Sequence, residues 1–127
     1  HCSECEQTRV SIPVVDELTE YTTSTALECC RRCLSVEPGE PVAVDDPPWE
    51  TIHPRFPTGT GAVALLLLID RLDSLALNRR EIESLVAFLE ANGVDVFLTL
   101  DRLLADPEIE PHVNLDRRRD QLAALLE

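Results

Sequence analysis

The sequence predicts an α+β fold: an N-terminal zinc ribbon of short β-strands, a proline-rich linker and a C-terminal four-helix unit. Three observations lead there. All five cysteines lie in the first 33 residues, six of the nine prolines lie between positions 37 and 58, and the remainder shows helical apolar spacing with capping residues. The expected boundaries are 1–45 for the ribbon, 46–58 for the linker and 59–127 for the helical domain.

The ribbon rests on two C-x-x-C pairs, Cys2 with Cys5 and Cys30 with Cys33, separated by residues 6–29. A two-residue gap lets both sulfurs of a turn face one ion, and two such turns complete a tetrahedron. This is the spacing of a closed structural site for Zn2+, with Cys2, Cys5, Cys30 and Cys33 as ligands and no position left for a substrate. Cys29 is a spare thiol. It can replace Cys30, although the x-x spacing favours Cys30, and otherwise it packs as a small apolar residue. His1 adds a donor beside the first pair, but its place at the start of the chain argues against a role. A disulfide framework fits poorly with five cysteines, an odd number, and no secretory segment in view. A redox C-x-x-C is expected at a helix start in a βαβ unit, which the pattern lacks.

Between the pairs, Arg9 to Val15 is rich in β-branched residues and reads as a strand, with Pro13 marking an edge or a break. Thr22 to Glu28 is expected to return antiparallel beside it, and Pro41 to Asp45 to add a short strand. A unit of this size buries little, so metal is expected to supply much of its folding energy. From Glu37 to Thr58 the prolines favour extended chain and turns. Trp49 and Phe56 either pin this linker onto the helices or form an exposed docking patch. His53, between them, has no partner at ligand spacing.

Helix one is expected over Gly61 to Leu77, apolar on nearly every side from Ala62 to Ile69 and therefore central to a bundle. Asn78-Arg79-Arg80-Glu81 resembles a capping box for helix two, in which Ile82, Leu85, Val86 and Leu89 form the buried stripe and Asn92-Gly93 the stop. Asp95 caps helix three, with Val96, Phe97, Leu100, Leu103 and Leu104 inward, and Asp106-Pro107 ends it. Asn114 caps the last helix, with Leu115, Leu122, Leu125 and Leu126 inward. Three helices with one apolar face each barely enclose helix one, so either apolar area stays open near Leu65 to Ile69 or around Trp49 and Phe56, or the proline linker folds back and covers the gap.

Composition narrows the chemistry. The chain has 24 acidic and 11 basic residues, a net charge of -13, and every basic residue is arginine. Without lysine there is no Walker A loop, pyridoxal Schiff base or lysine general base. Gly59-Thr60-Gly61 lacks the spacing of a nucleotide loop. No defensible catalytic pair is present, so no enzyme activity is expected. High acidity without lysine suggests a cytosol of concentrated salt, where screening relieves self-repulsion. The run Ala62 to Ile69 is too short for a membrane helix, which needs about 20 apolar residues, so a cytoplasmic protein without membrane contact is expected. The chain begins at His1 rather than methionine, so residues are expected before it. Arg31 and Arg32 in the second C-x-x-C, and Arg117, Arg118 and Arg119 near the C-terminus, are candidate phosphate contacts. Each cluster lies among acids that can pair with it.

Cys2-x-x-Cys5, Cys30-x-x-Cys33, Phe56-Pro57-Thr58-Gly59, Asp73 to Arg79 and Leu115 to Arg119 together resemble a small haloarchaeal zinc-ribbon family of unknown function. The resemblance covers nearly the whole chain and implies a ribbon fold and a salt-rich source, with no activity attached. This chain departs from many ribbons in having Ser3, Glu4 and Glu6 around the first pair where proline and glycine are frequent. The expected role is a non-enzymatic zinc-ribbon adaptor whose helical unit binds another protein or a second copy of itself. The alternative is an RNA- or ribosome-associated factor that uses the arginine clusters.

The charge leads to a direct expectation. Thermal melts from low-millimolar to molar salt should show a midpoint that climbs with ionic strength. A midpoint independent of salt would remove the halophilic reading.

Overall fold

The computed structural model describes residues 9–14, 18, 21, 26–30, 32–39, 56, 57, 59–107, 109–111 and 114–126. Strands β1 (Arg9–Pro13), β2 (Ala26–Cys30) and β3 (Val36–Pro38) come first. Helices α1 (Gly59–Arg71), α2 (Arg79–Ala91), α3 (Val96–Leu104) and α4 (Leu115–Leu126) follow, and a 3-10 turn, Leu72–Ser74, extends α1. The architecture is α+β, as the sequence predicts. The expected strand over Pro41 to Asp45, together with Trp49 and His53, lies outside the described residues.

The sheet has the order β1-β2-β3 and is antiparallel throughout. Ile12 stands opposite Leu27, and Cys29 stands opposite Val36. Side chains alternate along a strand. Ile12, Leu27 and Cys29 therefore turn one face of the sheet into the core, with Val36 packed against it. Cys30 falls on the opposite face. β3 differs from the expected third strand, which the sequence places at Pro41 to Asp45. The chain reverses between β2 and β3, and pairing with β2 imposes the strand. Gly39 permits a close pass at its end, because a Cβ there would lie 2.8 Å from Glu28 Cγ.

Helix α1 has every residue from Ala62 to Ile69 buried. It packs against α2 and β3, while α4 packs on α3 and on the 3-10 turn. The open apolar area expected near Leu65 to Ile69 is absent, since these residues are covered within one chain. The alternative, a linker folded back over the gap, fits the burial of Phe56. Ile12, Leu18, Leu27, Cys29, Leu34 and Phe56 join the helices in one core, so the sheet and the segment before α1 close the remaining side.

Helix ends follow local chemistry. The Asp95 side chain accepts from the Leu98 N–H at 3.1 Å, and Asn114 Oδ1 accepts from the Arg117 N–H at 3.2 Å. After α2 the chain turns at Gly93, φ 79°, and Val94 N–H reaches Leu89 O at 2.9 Å, closing the helix by a left-handed residue. The expected capping box at Asn78 does not form. Its side chain turns back and donates to the Arg71 carbonyl at 3.1 Å, which helps end α1 six residues before the expected Leu77. Arg71 also ties the N-terminal region to the helices. Its guanidinium donates to Glu81 at 2.6 Å, to the Leu67 carbonyl and to the Tyr21 carbonyl, and lies 5.6 Å from the Tyr21 ring centroid. The Tyr21 hydroxyl in turn meets Ser84 Oγ at 2.5 Å.

Leu34 is the non-glycine residue with positive φ, 63°, among those described, and it is fully buried. A left-handed conformation costs a branched side chain about 1–2 kcal/mol, and burying a leucine returns about 1.5–3 kcal/mol. Burial therefore outweighs strain and keeps leucine where glycine would turn freely. Leu34→Ala should destabilise by about 2–5 kcal/mol, because it loses the packing and keeps the strain. Leu34→Gly loses the same packing but sheds the strain, so denaturant melts should find it at least as stable as Leu34→Ala, the reverse of the usual order. If glycine proves clearly worse, the strain assignment is wrong.

Candidate metal centre

The second C-x-x-C forms the turn between β2 and β3. Cys30 N–H donates to Ser35 O at 3.0 Å and Leu34 N–H donates to Cys30 O at 2.9 Å, which closes the turn. Leu34 points into the main core, whereas Cys30 and Cys33 are both buried and form a separate small cluster of their own. The turn thus has an apolar back and a thiol front. Cys33 Sγ lies 3.1 Å from Ser35 Oγ.

Burial pushes the Cys30 thiol above the ordinary thiol range, because a thiolate loses hydration there. The backbone N–H groups of Cys33 and Arg32 work against this by hydrogen-bonding toward its sulfur and favouring the thiolate, while the neighbouring Cys33 thiol pushes it further up. Buried thiols whose backbone donors already suit the anion are good ligands for a soft cation, which supplies the charge that lets the proton leave.

Cys2, Cys5 and Arg31 lie outside the described residues. Among the described residues no three His, Cys, Asp or Glu side chains converge as metal ligands, and of the four expected ligands Cys30 and Cys33 are the two in view. Cys29 packs in the main core, on the opposite face of β2 from Cys30, with its Sγ 3.5 Å from the Cys30 carbonyl oxygen. One residue of β2 cannot serve both faces, and that separates the two adjacent thiols physically.

The candidate arginine contacts are divided by their partners. Arg32 pairs with Glu110 at 2.9 Å. Arg119 grips Asp101 with two donors, at 3.0 and 3.2 Å, and lies 5.1 Å from the Phe97 ring centroid, which fastens α4 to α3. Arg118 donates to Gln121 at 3.0 Å, and Arg117 is exposed. Glu110, Leu34 and the Arg71–Tyr21 contacts escaped the sequence reading. Only Leu34 left a local signal there, a large apolar residue directly after a C-x-x-C turn.

The fold and the thiol turn define a small α+β protein in which one turn of a paired-cysteine motif is built onto the helical core. The chain belongs to a family of unknown function (DUF6276), whose model matches residues 1–126. No curated protein and no solved structure matches it. Among the described residues no helix is long and apolar enough to cross a membrane.

The raised Cys30 thiol sets a pH dependence for the metal-free chain. A group whose folded pKa lies above its unfolded value stabilises below the unfolded value, and that contribution is lost as pH rises through the folded one. Denaturant melts of chelator-treated protein should lose stability as pH climbs through and beyond the ordinary thiol range, and Cys30→Ser should flatten that fall. An unchanged slope in the serine variant would refute the assignment.

Proposed function

We propose that the chain is a non-enzymatic zinc-ribbon adaptor of the cytoplasm, in which one structural Zn2+ is held by Cys2, Cys5, Cys30 and Cys33. The observation that carries this reading is the thiol-fronted turn: Cys30 and Cys33 are buried together, apart from the main core, with backbone donors toward the Cys30 sulfur. Such a site supplies cross-linking rather than chemistry, since four thiolates leave zinc no open position. The acidic, lysine-free composition supports a haloarchaeal setting of high salt.

The adaptor role rests on what the helices leave exposed. Helix α1 is enclosed, so a protein partner or a second copy would meet the outer faces of the helical unit. There Leu77 stands 88% exposed in the connection between α1 and α2. The RNA alternative draws no support from Arg32 and Arg119, whose guanidinium groups are engaged by carboxylates of the same chain.

Elemental analysis of the purified chain should give one zinc per molecule. Serine at Cys2, Cys5, Cys30 or Cys33 should abolish stoichiometric zinc, and serine at Cys29 should leave it intact. Zinc retained in Cys30→Ser and lost in Cys29→Ser would show that the ligand is the other thiol of the pair.

A further inference from the structure

The turn that carries Cys30 and Cys33 is fastened to a distant part of the chain, the connection between α3 and α4. Two bonds between the same two residues do this. The Glu110 N–H donates to the Arg32 carbonyl at 2.7 Å, and Arg32 Nη2 lies 2.9 Å from Glu110 Oε1. Arg32 sits between the two thiols, so its carbonyl direction depends on the same backbone curvature that brings both sulfurs to one side. Ile109, beside Glu110, is buried in the main core, and its N–H donates to Asp106 O at 3.2 Å. The connection is thus held by the core at Ile109 and by the thiol turn at Glu110.

We propose that the thiol turn and the α3–α4 connection respond to metal as one element, with Arg32 and Glu110 as positioning residues. The inference rests on the zinc reading above. Metal that fixes Cys30 and Cys33 also fixes the Arg32 carbonyl and guanidinium between them, and so orders the chain around Glu110. Linkage requires the reverse as well: a connection held in place raises metal affinity by the same factor. The helical unit, with α4 entering directly after this connection, thereby carries a readout of metal occupancy.

The test is zinc affinity of the full-length chain, measured by competition with a chromophoric chelator, for wild type, Glu110→Arg and the exchanged pair Arg32→Glu with Glu110→Arg. A simple field effect and the proposed coupling predict opposite signs. A positive charge placed near a tetrathiolate centre should tighten zinc binding if only the local field matters. Coupling predicts that Glu110→Arg weakens it by about five-fold, the scale of one partly exposed ion pair, and that the exchanged pair returns to within about two-fold of wild type. In parallel, the Glu110 amide of the wild type should exchange with solvent about ten-fold faster after zinc is removed. Zinc bound stoichiometrically, with affinity unchanged or tightened in Glu110→Arg and no change in Glu110 exchange, overturns the coupling and leaves the zinc site standing. A wild-type chain that takes up no zinc overturns both.

Discussion

The structure depends on one demand: α1 is apolar on every side and must be covered on every side. A buried leucine is worth about 1.5–3 kcal/mol, and eight consecutive residues, Ala62 to Ile69, are out of solvent. No single neighbour can do this. Helix α2 covers one flank, and the sheet, with Ile12, Leu27, Cys29 and Leu34 turned inward, covers another. Strands of five, five and three residues are too few to bury a core alone, and α1 has no solution in water without them. Each half therefore exists because of the other.

The cysteine arrangement follows from the alternation of β2. Neighbouring residues of a strand face opposite ways, so Cys29 enters the core while Cys30 faces Cys33 on the other side. Leu34 anchors the back of the same turn, accepting a left-handed backbone in exchange for full burial. On the helical side, Arg71 reaches the Tyr21 carbonyl and ring, and Arg32 reaches Glu110. Among the described residues Arg32, Arg71 and Arg119 each tie distant segments together, since the planar arginine fork can hold a carbonyl and a carboxylate at once.

The helices were readable in the sequence because their signals are local. The apolar run of α1, the i, i+3, i+4, i+7 stripe of Ile82, Leu85, Val86 and Leu89, and the caps at Asp95 and Asn114 all act within a turn or two. The features that differ from the sequence expectation depend on partners far along the chain. Asn78 was read as a cap, but the end of α1 competes for its side chain. Val36–Pro38 has no strand signal of its own, since the proline-rich stretch begins there, and it is a strand through its pairing with β2. Nothing local ties Leu18 or Leu34 to a helix that begins at Gly59, so their share of the cover over α1 leaves no signal in the sequence. For the candidate centre, spacing alone separated Cys30 from Cys29, and the strand faces give the physical reason. Glu110 had no signal at all, since a single acid among 24 carries no information until the fold places it beside Arg32.

If the sheet that covers α1 is held closed by metal at the thiol turn, the helices must register the loss of that metal. The most direct measurement is the helical circular dichroism signal through denaturant unfolding, with the full chain loaded with zinc and then stripped by chelator. The account predicts one cooperative transition whose midpoint falls on chelation, because a ligand bound only to the folded state stabilises everything that folds with it. A helical transition at the same midpoint with and without zinc would contradict it.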